Sequence, residues 1–515
     1  MSEKWHPAGW LRSAPPPVWL VPTLTTLAVG LIGIGHAPPW RDELATWSAA
    51  TRPLPDLLRL TGTLDATAGP YYLLMHGWVR LGGDSPAALR LPSALAMAAA
   101  AGLTAVLAAR LLDARAGLLA GLLFTVLPGT SRYAHEARPY ALAMFFAVLA
   151  TLLLVTALHR PTWRRWAAYA VAVAGLGLSH LLALALLAAH AVVVLVSWWL
   201  GPAAAGLTAP AAGAPAPEPP RPAGRAARGG RLAGRWALAL LVALVVLTPL
   251  VLRTRGQRSR QLDWVEPARL ADLAALPGGV VQSGVVGGLL VGLAALGAAQ
   301  VGRRALLPGL GVLLPVLLVF AAALVVPLWV PRYLLFTVPF AGVLAGAALA
   351  GAPTGTGRAL APPLAVVALA GLLGLPDQAT LRQTHGWPRS ATVDYRGAAG
   401  IIGAGQRPGD AVVYAPRDGW LFLDLGVAYH LADRPRDVLV IRDQRQRADL
   451  WVTECARPAE CLAGVGRVWL VVAGRRADPL AALPGVKGDA LRERFTVSRT
   501  WQRPGVTVAL LTARA

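Results

Sequence analysis

The sequence predicts a polytopic α-helical membrane protein with a small α/β domain at its C-terminal end. Of the 515 residues, 56% are hydrophobic and only 14% are charged, whereas a soluble domain usually has about 25% charged residues. The chain contains many apolar runs of about 20 residues, the length that crosses a bilayer. From about residue 377 the composition changes to short β-type runs between polar segments. A soluble globule and a disordered chain are excluded.

Eleven apolar segments are predicted to span the membrane. They are 17–35, 88–109, 116–130, 139–158, 166–180, 181–200, 232–252, 284–301, 306–328, 333–351 and 359–376. The continuous run over 167–200 is divided at His180 because it is too long for one span. Residues 1–376 are therefore predicted to form a transmembrane domain, with a first outer loop at 36–87. Segment 201–230, rich in Ala, Pro, Gly and Arg, is predicted to be a disordered cytoplasmic linker.

Arginines in the short loops predict the orientation. Those assigned to the inner side outside the linker are Arg110, Arg115, Arg160, Arg164, Arg165, Arg303, Arg304 and Arg358. The positive-inside rule then places the N-terminus in the cytoplasm and the C-terminal domain outside the plasma membrane. The net charge of +22 lies between apolar runs, so it indicates membrane lipid as a partner and not nucleic acid. The cluster Arg253–Arg260 lies outside in this scheme, and an anionic substrate, anionic lipid or a long loop would each explain it.

The outer region 377–515 is predicted to be a small α/β domain. AVVY, DVLVIR and RVWLVVA are predicted strands, FTVSRT and VTVALLT a closing pair, and 395–405 and 419–431 helical stretches. Cys455 and Cys461 also lie here. They form a disulfide or remain free thiols, and an oxidising outer compartment favours the disulfide.

Two adjacent acids follow the first predicted span. Asp42 and Glu43 lie where the chain leaves the membrane, a place where carboxylates are costly to hold. Asp42 is a candidate general base for an attacking hydroxyl, or an oxygen ligand for a divalent cation such as Mg²⁺ or Mn²⁺. The alternative is that both acids are solvated or cap a helix N-terminus.

The same outer loop continues with Asp65, Tyr71, Tyr72, His76 and Trp78. The segment is amphipathic and too short to span, which predicts a helix lying along the membrane interface. Asp65 and the two tyrosines, together with Glu136 further along the chain, are candidate contacts for an acceptor. The alternative is that the aromatic residues only anchor the loop at the interface.

A third outer site lies between two spans. Arg132, Glu136 and Arg138 occur within seven residues, ahead of a helix that opens at Pro139. Guanidinium groups beside a helix N-terminus suit a phosphate. The alternative is an Arg138–Glu136 surface pair among lipid headgroups. His180 and Arg332 are predicted on the same face of the membrane, where they join Arg132 and Arg138 as candidate contacts for a donor phosphate.

Together, these segments resemble the GT-C glycosyltransferases that use polyprenyl-phosphate sugars. The likeness covers roughly 17–345, and the group includes protein mannosyltransferases, the aminoarabinose transferase of lipid A and actinobacterial mannosyltransferase-like proteins. The matching elements are WRDELATWS, DATAGPYYLLMHGW, SRYAHEARPYAL and VPRYLLFTVPF. The resemblance implies that Asp42 is the catalytic base and Glu43 the second acid. It also implies that Arg138 and, by looser analogy, Arg332 contact the donor phosphate. The chain departs from relatives at Ala68, where they often have His or Pro.

The resemblance implies transfer of a monosaccharide from a polyprenyl-phosphate donor to a hydroxyl of a lipid, glycan or protein acceptor, with inversion. The resemblance suggests mannose as the sugar, with arabinofuranose or another sugar as the alternative, and the divalent cation considered above is the one candidate cofactor. The alternatives are a flippase for lipid-linked glycans and a non-catalytic protein that binds envelope glycan. Transporters place ionisable residues at the bilayer midplane, whereas these predicted spans are almost free of charge.

Overall fold

The computed structural model describes residues 18–201, 205–207, 222–262, 264–351, 360–382 and 393–514. The chain divides into two compact units. The first, the membrane unit, comprises Met1–Ile32 and Arg90–Ala379. The second comprises Gly33–Leu89 and Thr380–Ala515, and we call it the outer unit after the location that the sequence predicts for it. The outer loop that the sequence assigns to the transmembrane domain thus groups with the C-terminal domain. Most of the predicted linker 201–230 lies outside the described residues.

In the part of the membrane unit that the structure describes, all regular structure is helical. Its helices are α1 (Leu20–Leu31), α5 (Pro86–Leu111), α6 (Ala114–Val126), α7 (Pro128–Ala134), α8 (Tyr140–His159), α9 (Trp163–Ser179), α10 (Leu186–Leu200), α11 (Pro222–Leu262), α12 (Leu270–Val281), α13 (Gly284–Val301), α14 (Leu306–Ala323), α15 (Val338–Gly351) and α16 (Ala361–Arg382). Helices α2 to α4 belong to the outer unit.

Each of the eleven predicted spans coincides with helical structure. Among the described residues, seven helices are long and apolar enough to cross a membrane. An eighth is obtained if α6 and α7, which meet at a 66° bend, are one span. Pro128 explains the bend, because proline lacks the N–H that would continue the helical ladder. The smaller count arises because α1 and α9 are short, and because Gly284–Ala323 is one apolar stretch of 40 residues holding two predicted spans.

Glycines allow three of these helices to approach closely. A Cβ atom on Gly297 would overlap the carbonyl oxygen of Leu344, between α13 and α15. A Cβ on Gly346 would lie 2.5 Å from the carbonyl oxygen of Ala116, between α15 and α6. Small residues are the usual means by which membrane helices pack, because lipid provides no hydrophobic force between them.

The outer unit begins with three helices from the first outer loop: α2 (Arg41–Ala50), α3 (Leu54–Thr63) and α4 (Gly69–Gly82). Its C-terminal part contains α17 (Tyr395–Gly405), β1 (Ala411–Ala415), α18 (Leu423–His430), β2 (Arg436–Asp437), β3 (Val440–Arg442), β4 (Thr453–Glu454), α19 (Pro458–Cys461), β5 (Arg467–Ala473), α20 (Gly485–Arg494), β6 (Phe495–Arg503) and β7 (Val506–Ala513).

Five of the described strands form a mixed sheet in the order β2-β1-β5-β7-β6. Strand β1 runs parallel to β2 and to β5, whereas β7 is antiparallel to β5 and to β6. The predicted strand DVLVIR is divided: β2 ends at Asp437, Leu439 is fully buried, and β3 pairs with β4 outside this sheet. The structure joins Cys455 and Cys461 in a disulfide.

Candidate functional site

The membrane unit brings together residues from three distant parts of the sequence. We call Arg138, Tyr140, His180, Arg332 and Tyr333 the arginine–aromatic cluster. The Arg332 Nε donates a hydrogen bond to the Tyr140 hydroxyl at 3.0 Å. The ring centroids of His180 and Tyr333 are 4.9 Å apart, and those of Tyr140 and His180 are 6.0 Å apart. The structure therefore unites three of the four side chains that the sequence predicts as phosphate contacts.

Local sequence explains how these side chains reach the cluster. Pro139 caps α8, so that Arg138 and Tyr140 lie on either side of the helix start. His180 ends α9 in an extended conformation. Arg332 follows Pro331, which opens the 3-10 helix Pro331–Thr337. Each element thus presents its polar residue at a helix end, where the apolar pattern of the spans stops.

Two cations converge on one histidine in this cluster. Arg138 and Arg332 both lie close enough to His180 for their charges to act on its ring. The His180 Nδ1 is buried and has no hydrogen-bond partner among the residues that the structure describes. Arg332 also lies over the rings of Trp264 and Tyr333, with its Cζ 5.3 and 5.6 Å from their centroids. The arrangement presents positive charge beside a neutral, polar ring.

The fourth predicted phosphate contact has a different environment. The Arg132 Nη1 lies 3.0 Å from the Glu136 Oε2, in an ion pair one helical turn apart. The side chains are only 9% and 1% exposed. Arg132 and Glu136 thus neutralise each other, which weakens the predicted phosphate role of the first and acceptor role of the second.

The predicted acids of the outer unit lie in the first turn of α2. A Glu43 carboxylate oxygen, Oε2, accepts a hydrogen bond from the Trp40 backbone N–H at 3.3 Å, and the Glu43 side chain is buried. This is the capping geometry that stabilises a helix start. Asp42 differs, because its carboxylate is partly exposed and lies 3.7 Å from the Arg41 Nε. Of the two acids, Asp42 is the more accessible to solvent.

Tyr395 from the C-terminal part of the same unit lies near this acid. The charges of Arg41 and Asp42 both act on the Tyr395 hydroxyl. Burial is the main reason that the pKa of Tyr395 is raised, so the phenol stays neutral. The hydroxyl donates to the backbone oxygen of Leu421. No local pattern in the sequence points to Tyr395, because a tyrosine 353 residues from Asp42 gives no signal of proximity.

Of the remaining loop candidates, Asp65 is partly exposed and the others are packed inside the protein. The Tyr72 hydroxyl donates to the Asp65 carboxylate, and Asp65 adopts a left-handed backbone with φ of 56°. Tyr71 and Tyr72 are buried. The interpretation that they anchor the loop at the lipid interface is therefore wrong, because their rings face protein. His76 is also packed, with its Nδ1 2.9 Å from the Ala50 carbonyl oxygen.

Arg52 is an important residue that the sequence does not reveal. It is buried at the end of α2, and its Nη2 donates to the Asp449 carbonyl at 2.7 Å. Its Nε and Nη1 donate to the carbonyls of Ser48 and Gln444 at 3.2 and 3.4 Å. Burial, followed by the charge of Arg445, lowers the pKa of Arg52 to about 10. Arg52 therefore fixes α2 to the segment between β3 and β4.

Two other predicted features are the divalent-cation site and the Arg253–Arg260 cluster. Within the residues that the structure describes, no group of three or more His, Cys, Asp or Glu side chains is arranged to hold a metal ion. In the Arg253–Arg260 cluster, Arg253 and Arg255 are exposed on α11. The side chains of Arg258 and Arg260 lie outside the described residues.

Comparison with known proteins defines the class of fold. Residues 70–205 match the sequence family described as dolichyl-phosphate-mannose-protein mannosyltransferase. No curated protein matches the chain. The structure resembles that of ArnT from Cupriavidus metallidurans in the apo state, with a TM-score of 0.61 and 15% sequence identity, over 95% of this chain and 97% of that one.

The same protein bound to undecaprenyl phosphate gives a TM-score of 0.62 at 15% identity, over 96% of this chain and 98% of ArnT. The chain therefore has the GT-C fold and is a multi-pass membrane protein, as the sequence motifs predict. At this identity the likeness to ArnT shows the fold and does not show the substrate or the mechanism.

Proposed function

We propose that the protein is an inverting glycosyltransferase that moves a monosaccharide from a polyprenyl phosphate to an acceptor hydroxyl at the outer face of the cell membrane. We infer a cytoplasmic N-terminus and an outer C-terminal domain from the loop arginines. The GT-C fold and the undecaprenyl phosphate bound by ArnT support a lipid-phosphate donor. The observation on which the proposal chiefly rests is the arginine–aromatic cluster.

The cluster has the properties that a departing phosphate needs. Arg138 and Arg332 hold two positive charges beside the same neutral histidine ring, and a bound anion would offset the repulsion between those two charges. The hydrogen bond from Arg332 to Tyr140 orients the guanidinium before the substrate arrives. Cations fixed in advance stabilise negative charge that develops in the transition state, because they need not reorganise. We assign Arg138 and Arg332 to the donor phosphate and His180 to a neutral hydrogen-bonding role beside it.

The proposed reaction is a single displacement. The acceptor oxygen attacks the anomeric carbon while the bond from that carbon to the phosphate oxygen breaks, and the electron pair leaves with the lipid phosphate. The acceptor proton passes to the Asp42 carboxylate, the base that the resemblance to GT-C enzymes implies. Attack opposite the leaving group inverts the anomeric carbon. Glu43 serves as a positioning residue in this proposal, because it caps the helix that presents Asp42.

Transfer of labelled sugar in proteoliposomes tests the proposal. Asp42→Asn, Arg138→Gln and Arg332→Gln should each lower the rate at least ~100-fold, the usual effect of removing one charge-stabilising or proton-accepting group. Arg303→Gln is the matched control, since Arg303 is exposed between α13 and α14, and should retain full activity. Addition of EDTA determines whether Asp42 also needs a divalent cation.

Two results would contradict the proposal. A fully active Asp42→Asn protein would show that Asp42 is not the base. Lipid that crosses the bilayer without sugar transfer would indicate a flippase. The sugar and the acceptor require a separate measurement. Mass spectrometry of envelope glycans from a deletion strain should show the loss of one monosaccharide, with mannose and arabinofuranose as the first candidates.

A further inference from the structure

The C-terminal part of the outer unit contains a cavity of about 450 Å³ that the proposed transfer reaction does not use. Ala415 at the end of β1 and Val472 and Ala473 at the end of β5 line it. These two strands are parallel neighbours. The carboxyl ends of parallel strands are where open α/β sheets bind ligands. The volume falls within the range of roughly 300–1,000 Å³ typical of small-molecule sites.

An ordered network of charges forms part of the cavity lining. The Lys487 Nζ lies 2.8 Å from the Glu454 Oε2 and donates to the Tyr414 carbonyl at 3.1 Å. The other Glu454 oxygen accepts from the Arg417 Nε at 3.0 Å. The Lys487 and Glu454 side chains are only about one fifth exposed. Donor and acceptor groups are therefore fixed side by side before any ligand binds.

Arg417 is held rigidly by three carboxylates. Besides Glu454, it pairs with Asp424 at 3.0 Å and with Asp437. Burial alone lowers the pKa of Arg417, but Asp437 and Asp424 outweigh that effect and raise it. The guanidinium therefore always carries its positive charge, and the three carboxylates already balance that charge. It serves as a fixed wall of the cavity and is poorly suited to capture a further anion.

The remaining lining combines both signs of charge with apolar surface. Asp418 and Arg476 are exposed lining residues, and Val452 and Leu483 add apolar surface. A phosphate would meet the carboxylates of Glu454 and Asp418 as well as the cations, so a simple anion fits poorly. A sugar fits, because each hydroxyl both donates and accepts a hydrogen bond. Its C–H faces also suit the apolar residues.

We propose that this cavity is a binding site for a neutral saccharide of one or two rings, separate from the transfer site. The inference is independent of the proposed reaction, since it depends only on residues of the C-terminal part of the outer unit. The site would hold a glycan unit by paired hydrogen bonds to Glu454 and Lys487 inside and to Asp418 and Arg476 nearer solvent.

Ligand-observed NMR and titration calorimetry on the full chain in detergent test the site. The probes are methyl α-D-mannopyranoside, methyl α-D-arabinofuranoside, their disaccharides, and inorganic phosphate. At least one neutral glycoside should bind saturably, and phosphate should not displace it. Asp418→Asn and Arg476→Gln change exposed residues, so the fold should be retained, and each should weaken binding at least fivefold.

Matched controls locate the binding within the unit. Asp489→Asn and Arg499→Gln remove the same charges from exposed positions outside the cavity lining and should leave affinity unchanged. Asp42→Asn should also bind the glycoside normally, even though it cannot transfer sugar. The inference is overturned if no neutral glycoside binds, if phosphate competes, if the two lining variants bind normally, or if Asp42→Asn abolishes binding.

Discussion

Replacing Arg52 by methionine should destabilise the outer unit by about 2–3 kcal/mol. A hydrogen bond from a charged group contributes roughly 1.5–3 kcal/mol. Arg52 makes one short bond, to Asp449 at 2.7 Å, and longer ones to Ser48 at 3.2 Å and Gln444 at 3.4 Å. The cost of burying the Arg52 charge opposes the stabilisation that these hydrogen bonds provide. The fall in the pKa of Arg52 from 12.5 to about 10 corresponds to about 3 kcal/mol.

Methionine keeps the volume of the arginine stem but leaves buried carbonyls without their donor. Thermal and denaturant unfolding of the full chain in detergent measures the loss of stability. Hydrogen exchange should rise in two segments at once, α2 and residues 443–450, because Arg52 joins them. Sugar transfer should fall as well, since α2 includes Asp42.

Arg59→Met is the matched control for this experiment. Arg59 is 58% exposed and pairs with Asp56 on the surface of α3, and such pairs contribute about 0–1 kcal/mol. The reasoning about Arg52 fails if Arg52→Met unfolds like the wild type and neither segment exchanges faster.

Three further predictions concern other parts of the chain. Glu43→Gln should retain most transfer activity, because the amide oxygen can still cap α2. Glu43→Ala should lose ~1 kcal/mol of stability and much of the activity. An inactive but stable Glu43→Gln protein would show that Glu43 acts as an acid. Burial, followed by the charge of Arg396, lowers the pKa of His430 to about 4. The unfolded chain takes up this proton near pH 6.5, so unfolding temperature should fall as pH drops from 6.5 towards 4, and His430→Gln should flatten that profile. Gly297→Val should reduce folded protein in the membrane, because its Cβ would meet the backbone of α15, whereas Gly288→Val, with open space around it, should express normally; equal yields of both would disprove the close approach of α13 and α15.

Hydropathy and loop composition predict much of this protein. The eleven apolar segments coincide with helices, and most strands of the C-terminal region occur where β-type runs predict them. The exception, DVLVIR, is divided because Leu439 turns into the core between β2 and β3. A local pattern cannot distinguish a continuous strand from two short ones that pair with different partners.

The candidate site is only partly predictable for a similar reason. Arg138, His180 and Arg332 are recognisable as polar residues at helix ends, and the structure brings them together. The sequence does not show which of the nearby arginines pairs with Glu136, and the structure shows that it is Arg132. Glu43 carries the same charge as Asp42, yet its carboxylate caps a helix. Sequence identifies these groups but does not rank their distances.

The sequence by itself determines that the chain enters a membrane and leaves its polar residues at helix ends. The physical reason is that the free energy of transferring apolar side chains out of water adds up along each segment. Tertiary structure alone decides which polar groups meet. Two hydrogen-bond partners of Arg52, Gln444 and Asp449, lie more than 390 residues away from it, and the partners of Arg417 come from four separate elements. Hydrogen bonds and ion pairs act over a few ångströms, so their strength depends on the packing of distant segments and leaves no periodic signal in the sequence.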